Sequence, residues 1–181
     1  ASPDVRVVVR LRNVRATCGI DLSGTPLFRR GRAGVPAGVA PMRPDYAAAL
    51  LAAGGWYRTC RHGAPAVTSL FDACGTVLAE AASQALDRAP GLVRPTWGFD
   101  RWLGNDAAAW DALLAEADDR AERGAASTHG LVLRCDDVRP GLERRVRATL
   151  RVAGLDVDVA FGDAPAALEA PTLLVADLTS F

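Results

Sequence analysis

The acidic residues Asp136, Asp137 and Asp177 lie at or just after short apolar runs, Leu131 to Cys135 and Leu173 to Val175. Carboxylates at the ends of parallel strands gather on one rim, and that rim is where open α/β sheets bind ligands and ions. Three oxygen donors there suit a hard divalent cation, so a Mg2+ site is the expected chemistry. The plainer reading is that strand-end acids cap helices and face water. A second pair is Cys60 and His62, flanked by Arg58 and Arg61. On an extended segment the two would share a face, and the arginines would lower the thiol pKa. That is the arrangement of a thiol nucleophile with a histidine base. A third group is Arg29, Arg30 and Arg32 in a Gly-rich stretch, where guanidinium forks and backbone N–H groups suit an oxyanion. For these last two groups the plainer readings are a half-buried loop thiol and a solvated arginine loop.

The elements that must position these groups follow from pattern. Asp4 to Val14 alternates valine with arginine, as a strand with one apolar face does. Arg15 to Leu22 suits a second strand. Ser23 to Pro44 is a long loop rich in Gly and Pro. A helix is expected from Asp45 to about Ala53, stopped by Gly54 and Gly55. Residues 56–63 form a polar and aromatic connector. Pro65 then opens a long helix burying Val67, Leu70, Phe71, Cys74, Val77, Leu78 and Ala81 at helical spacing. After an irregular stretch with Trp97, Phe99 and Trp102, Asn105-Asp106 caps a helix that ends at Gly124. Residues 125–128 are a joint. The rest alternates: a strand at 131–135, a helix with the stripe Leu142, Val146, Leu150 and Ala153, a strand at Val157 and Val159, and a strand at 173–175. Right-handed crossovers make this half of a doubly wound sheet.

Composition narrows the function. The 21 basic residues other than histidine are matched by 21 acids, so no general attraction to nucleic acid or to a membrane is expected. All 21 are arginine, as in a GC-rich bacterial genome. The missing lysine removes the Walker A loop and Schiff-base chemistry. Four scattered cysteines with no C-x-x-C pair argue against zinc. No apolar run is long enough to span a bilayer, and free thiols suit a reducing cytoplasm. The chain begins Ala1-Ser-Pro without Met, which fits an excised or trimmed domain.

The last fifty residues resemble the first half of a response-regulator receiver domain. Asp136 and Asp137 match that family's acidic pair, Gly162-Asp163-Ala164 its loop, and Asp177 its phospho-acceptor. The resemblance implies a flavodoxin-like fold, a Mg2+ site and phosphorylation at Asp177. The family's switch lysine has no counterpart here. The same stretch also resembles the Rossmann-like structural subdomain of polyketide synthase ketoreductases, without a G-x-G-x-x-G motif after residue 135.

The expected class is therefore α/β: a partial doubly wound parallel sheet with the N-terminal strand added and a helical subdomain in the middle. Residues 1–44 would hold the N-terminal strands and Arg-rich loop, 45–126 the helices and 127–181 the receiver-like segment, together one compact domain. The expected function is a non-catalytic regulatory or scaffold domain acting through a protein partner or homodimer, with no cofactor beyond Mg2+. The alternative is an enzyme, either a fragment of a modular biosynthetic synthase or a thiol enzyme using Cys60 and His62.

Overall fold

The computed structural model describes residues 4–29, 40–162 and 172–178. Strands β1 (Arg6–Arg12) and β2 (Arg15–Asp21) form an antiparallel hairpin, turned at Asn13 with φ 54°. The register pairs Val7 with Ile20, Val9 with Cys18 and Leu11 with Ala16. Cross-strand partners share a face, so the hairpin has one apolar face, and all of β1 is exposed. The hairpin is a sheet by itself. The N-terminal strand is thus not an addition to the parallel sheet; its ladder partner is β2.

Helix α1 (Pro44–Ala53) ends at Gly54 as expected. Residues 56–62, expected as a connector, form helix α2 (Trp56–His62). The long helix expected after Pro65 is replaced by three elements. These are strand β3 (Ala66–Leu70), a turn at 71–75 and helix α3 (Thr76–Ala85). Ala66 to Ser69 are all buried. A strand buried on both faces lacks the apolar/polar alternation that marks a half-exposed strand, and here Val67, Leu70 and Phe71 fall by chance at helical spacing with Cys74 and Val77.

A 3-10 turn (Pro90–Val93) leads to α4 (Ala107–Ser127), which Asp106 caps by accepting the Ala109 N–H at 3.0 Å. Helix α4 runs past Gly124 because that glycine packs on the backbone at Leu86, where a Cβ would collide with the carbonyl. Trp97 and Phe99 stack, and Trp110 meets both edge to face, with centroids 5.0 and 4.9 Å away. That cluster seats the irregular segment on α4.

Strand β4 (Val132–Asp136), helix α5 (Leu142–Val152), strand β5 (Ala160–Phe161) and strand β6 (Leu173–Ala176) complete the described chain. The four strands β3 to β6 are parallel, in the order β5-β4-β3-β6. Val67, Leu133 and Val175 from the sheet join Leu51, Trp56, Val77, Leu78, Val146 and Leu150 in one core. The buried Trp56 indole N–H donates to the Ala81 carbonyl at 3.0 Å, which satisfies its polar end. Among the described residues no helix is long and apolar enough to cross a membrane.

The strand order decides between two doubly wound patterns. A receiver reading makes residues 131–135 the first strand and needs the strands near 159 and 174 on either side of it, the 2-1-3 order. Instead β3 stands between β4 and β6. The chain starts its sheet at β3, steps to β4 and β5, then returns to the far side of β3 with β6. That is the 3-2-1-4 order, with the reversal at β3 and β6.

Candidate functional site

At a reversal of this kind neighbouring connections leave the sheet on opposite faces, and a crevice opens at the carboxyl ends of the strands. Here that rim collects Phe71 to Gly75 after β3, Asp136 ending β4 and Asp137 just after it, Gly162 after β5 and Asp177 after β6.

The turn after β3 is tight. Phe71 has φ 59°, a left-handed conformation that costs a bulky residue about 1–2 kcal/mol. Its N–H donates to the Asp136 carbonyl at 2.7 Å, and the Asp177 N–H donates to the Leu70 carbonyl at 3.0 Å. Asp72 is fully buried. Its carboxylate accepts the N–H groups of Thr76 and Val77, each at 2.9 Å, and so caps α3. Burial pushes its pKa up to about 6, partly opposed by those N–H donors and by Ser69. Gly75 has φ 75°, and a Cβ there would lie 2.9 Å from a Val146 methyl, so only glycine lets α3 start against α5.

The acids on β4 are held by arginines. Arg134 Nε donates to Asp136 at 3.2 Å, while its Nη2 donates to the Gly162 carbonyl at 3.2 Å. Asp136 Oδ1 is shielded and accepts no hydrogen bond among the described residues. Asp137 is shielded from solvent. It accepts the Arg139 backbone N–H at 2.7 Å and Arg139 Nε at 2.8 Å on one oxygen, and Nη2 at 2.5 Å on the other. Burial alone would raise its pKa, but these donors outweigh it and hold the carboxyl below the usual range. Arg139 Nη2 also donates to the Phe71 carbonyl at 3.0 Å.

The rim brings Asp136, Asp137 and Asp177 to one end of the sheet. The cations facing Asp136 and Asp137 are guanidinium groups. Among the described residues no three His, Cys, Asp or Glu side chains gather closely enough to hold a metal ion. Cys60 and His62 lie two apart on helix α2, so their side chains diverge instead of sharing a face. Burial pushes the Cys60 thiol up to about 11, the opposite of activation. Cys60 lines a cleft of about 540 Å3 with Pro65, Asp87, Arg120, Thr128 and His129, which sits at the amino-terminal ends of β3 and β4. Arg29 is exposed. Arg30, Arg32 and the Asp163-Ala164 part of the expected loop lie outside the described residues.

Sequence reasoning missed Asp72, Gly75 and Arg139. The signal for the first two was present. An Asp and a Gly three apart, between a short apolar run and an amphipathic helix, mark a strand-to-helix turn. Arg139 gave none, because arginine is the only long cation in the chain.

A parallel sheet reversing at β3 and β6, with a glycine turn after one strand and acids at the end of the next, defines a Rossmann-like fold. Comparison with known proteins gives this class its members. No family model matches the chain. The chain is similar to ribosomal RNA large subunit methyltransferase K/L of Stutzerimonas stutzeri (strain A1501), with 40% identity over 153 residues. That match covers 84% of this chain and 21% of that protein. The same-named protein of Syntrophotalea carbinolica (strain DSM 2380 / NBRC 103641 / GraBd1) is 40% identical over 161 residues, 88% of this chain and 22% of that one. The chain thus spans about a fifth of the length of these relatives.

Two solved structures share the fold. One is SMU.472, named a methyltransferase provisionally and crystallised with SAH, at TM-score 0.71 and 23% identity over 96% of this chain and 43% of that one. The other is a predicted N6-adenine-specific DNA methylase from Listeria monocytogenes str. 4b F2365, at TM-score 0.70 and 23% identity. It covers 95% of this chain and 43% of that one.

These findings overturn the resemblance to receivers and to polyketide ketoreductases, and with it the non-catalytic regulatory role. The relatives are named as enzymes. They also overturn the expectation of a thiol enzyme or biosynthetic fragment. A fold neighbour holding SAH and relatives named for ribosomal RNA run against the expectations of no cofactor beyond Mg2+, of a protein partner or homodimer, and of no nucleic acid.

Proposed function

We propose that this chain is the cofactor-binding part of an S-adenosylmethionine-dependent methyltransferase that acts on large-subunit ribosomal RNA in the cytoplasm. The observation that carries the reading is the β5-β4-β3-β6 order, with an acid pair ending the strand beside the glycine turn. In dinucleotide-binding sheets of this order an acid at the end of the second strand accepts the ribose hydroxyls. The 40% identity to ribosomal RNA methyltransferases supports the reaction and the substrate class.

The rim suits an adenosyl group. Asp136 offers a shielded oxygen with no hydrogen bond from the described residues. Among the described residues, a Cβ on Gly162 would meet nothing within 4 Å. Asp136 would accept from the ribose hydroxyls. The tight turn after β3, with Phe71 left-handed and Gly75 seated on Val146, would set its backbone beside the cofactor. Asp72 keeps α3 seated against the sheet. Asp177 lies buried at the same rim, its N–H held by the Leu70 carbonyl of β3. When bound, S-adenosylmethionine supplies an electrophilic methyl group.

The test is calorimetry with S-adenosylhomocysteine. Binding at micromolar concentration, weakened about tenfold or more in Asp136→Asn, is the expected result, since a lost hydrogen bond to a charged group is worth about 1.5–3 kcal/mol. Absence of any heat up to about 1 mM, a Kd ceiling worth roughly 4 kcal/mol, would sink the reading. A second arm supplies labelled S-adenosylmethionine and large-subunit ribosomal RNA and counts label in the RNA.

A further inference from the structure

We propose that Arg139 is a positioning residue that sets the cofactor site's selectivity for ribose hydroxyls. The inference rests on the cofactor reading above. Three donors of Arg139 converge on Asp137, and a fourth bond reaches across to the Phe71 carbonyl. That carbonyl belongs to the one described residue of the β3 turn, glycine apart, with a left-handed backbone. The Phe71 N–H in turn holds the Asp136 carbonyl at 2.7 Å. Arg139 therefore closes a circuit: Asp137 to Arg139, Arg139 to Phe71, Phe71 to Asp136. The two ends it joins are the glycine turn and the acid pair.

The circuit explains a division of labour between adjacent acids. Asp137 is consumed by the guanidinium, buried and ionised. Asp136 keeps one oxygen uncommitted among the described residues. A planar guanidinium supplies two parallel N–H bonds to one carboxylate and a further one to a carbonyl, which an ammonium cannot do in one fixed plane. Lysine at 139 would keep the charge and lose the geometry. Arg139 thereby acts through Phe71 and Asp137 on where Asp136 sits, without touching the ligand.

The test separates positioning from general support of the fold. Adenosine and 2′,3′-dideoxyadenosine differ only in the hydroxyls at issue. The full chain, Arg139→Ala and Arg139→Lys are titrated with both, and with S-adenosylhomocysteine. The wild-type chain should prefer adenosine by about tenfold, one hydrogen-bonded hydroxyl pair's worth. Both variants should cut that preference to about twofold or less, by weakening adenosine while leaving dideoxyadenosine nearly unchanged.

Equal weakening of both nucleosides would mean mere structural support and would overturn the proposal. So would an unchanged preference, or tighter adenosine binding in the variants, which would make Arg139 a resident competitor. Should Arg139→Ala fail to fold, Arg139→Lys carries the same comparison. The Arg139 Nε–H resonance of the free protein gives a readout independent of any ligand. It should be protected from exchange in the wild type and lose protection in Asp137→Asn; free exchange in the wild type would overturn the proposal. A wild-type chain that binds S-adenosylhomocysteine but not adenosine preferentially defeats this inference alone. One that binds none of the three defeats the cofactor reading as well.

Discussion

The two ends of the parallel sheet are built on opposite plans. At the carboxyl end, arginines bridge from strand to strand: Arg134 joins Asp136 to Gly162, and Arg139 joins Asp137 to Phe71. Backbone conformation there is constrained at Phe71 and Gly75, and a carboxylate is fully buried. At the amino end, the strands open on a cleft whose charged pair, Asp87 with Arg120 at 2.6 Å, is half exposed. Exposed pairs of this kind contribute little. The difference teaches that the two ends are not equally specified. Constraint, burial and fixed charge cluster where a ligand would be read, and an open cleft is not by itself a site.

The contrast is broken most severely at Gly75. An alanine there must hold a left-handed backbone, costing roughly 1–2 kcal/mol, and crowd Val146, costing about 1–3 kcal/mol more. Gly75→Ala should lose about 4 kcal/mol in urea unfolding, and a loss under about 1 kcal/mol would show that the turn can relax.

Asp72 comes next. Its folded pKa of about 6 lies above the ordinary 3.8, so the folded chain holds the proton across that window. Stability should fall as pH rises from about 4 to 6, by up to roughly 3 kcal/mol, and this dependence should vanish in Asp72→Asn. Asp137 titrates lower, because burial is outweighed by its arginine donors. Its contribution is present above the ordinary carboxylate range and is lost only as pH drops beneath the Asp72 window. The difference between the wild-type and Asp72→Asn curves isolates the buried acid.

At the amino end the effects should be smaller. Gly124→Ala forces α4 off the Leu86 carbonyl. That helix buries little besides Ala121 and Gly124, so the expected loss is about 1–2 kcal/mol, with S-adenosylhomocysteine affinity unaltered. Smallest of all is Cys60→Ser. With its thiol pKa near 11, Cys60 should resist alkylation at neutral pH, and the serine variant should stay within about 1 kcal/mol of the wild type. Rapid modification of Cys60 would restore the cleft as a chemical site.

Much of the α/β class was legible. The apolar runs near 133 and 174 and the stripe Leu142, Val146 and Leu150 announce strands and a helix by period alone. What failed was one strand. Val67, Leu70, Phe71, Cys74, Val77 and Leu78 fit a helical face, so residues 66–70 were absorbed into a helix. A buried strand followed directly by a helix mimics that period. Without β3, the strand at 132–136 became the first of the sheet, and the acids after it took on receiver roles. Restoring β3 moves the same acids to the end of the second strand, the position at which dinucleotide-binding sheets of this order hold an acid for the ribose. Asp136, Asp137 and Asp177 could be picked out from the sequence. Their roles could not, because roles follow from strand order, and the order hinges on long-range pairing that no local window records. Arg139 was invisible for a related reason. Its partner Phe71 lies across the sheet.

Phe71 has its peptide groups engaged on both sides. Its N–H is held at 2.7 Å by a neighbouring strand and its carbonyl at 3.0 Å by a guanidinium. An amide so enclosed exchanges with solvent deuterium only through large openings of the sheet. The carboxyl rim of the sheet is then stiff at its centre, and on the proposed reading the motion that admits a substrate must come from the loops around it.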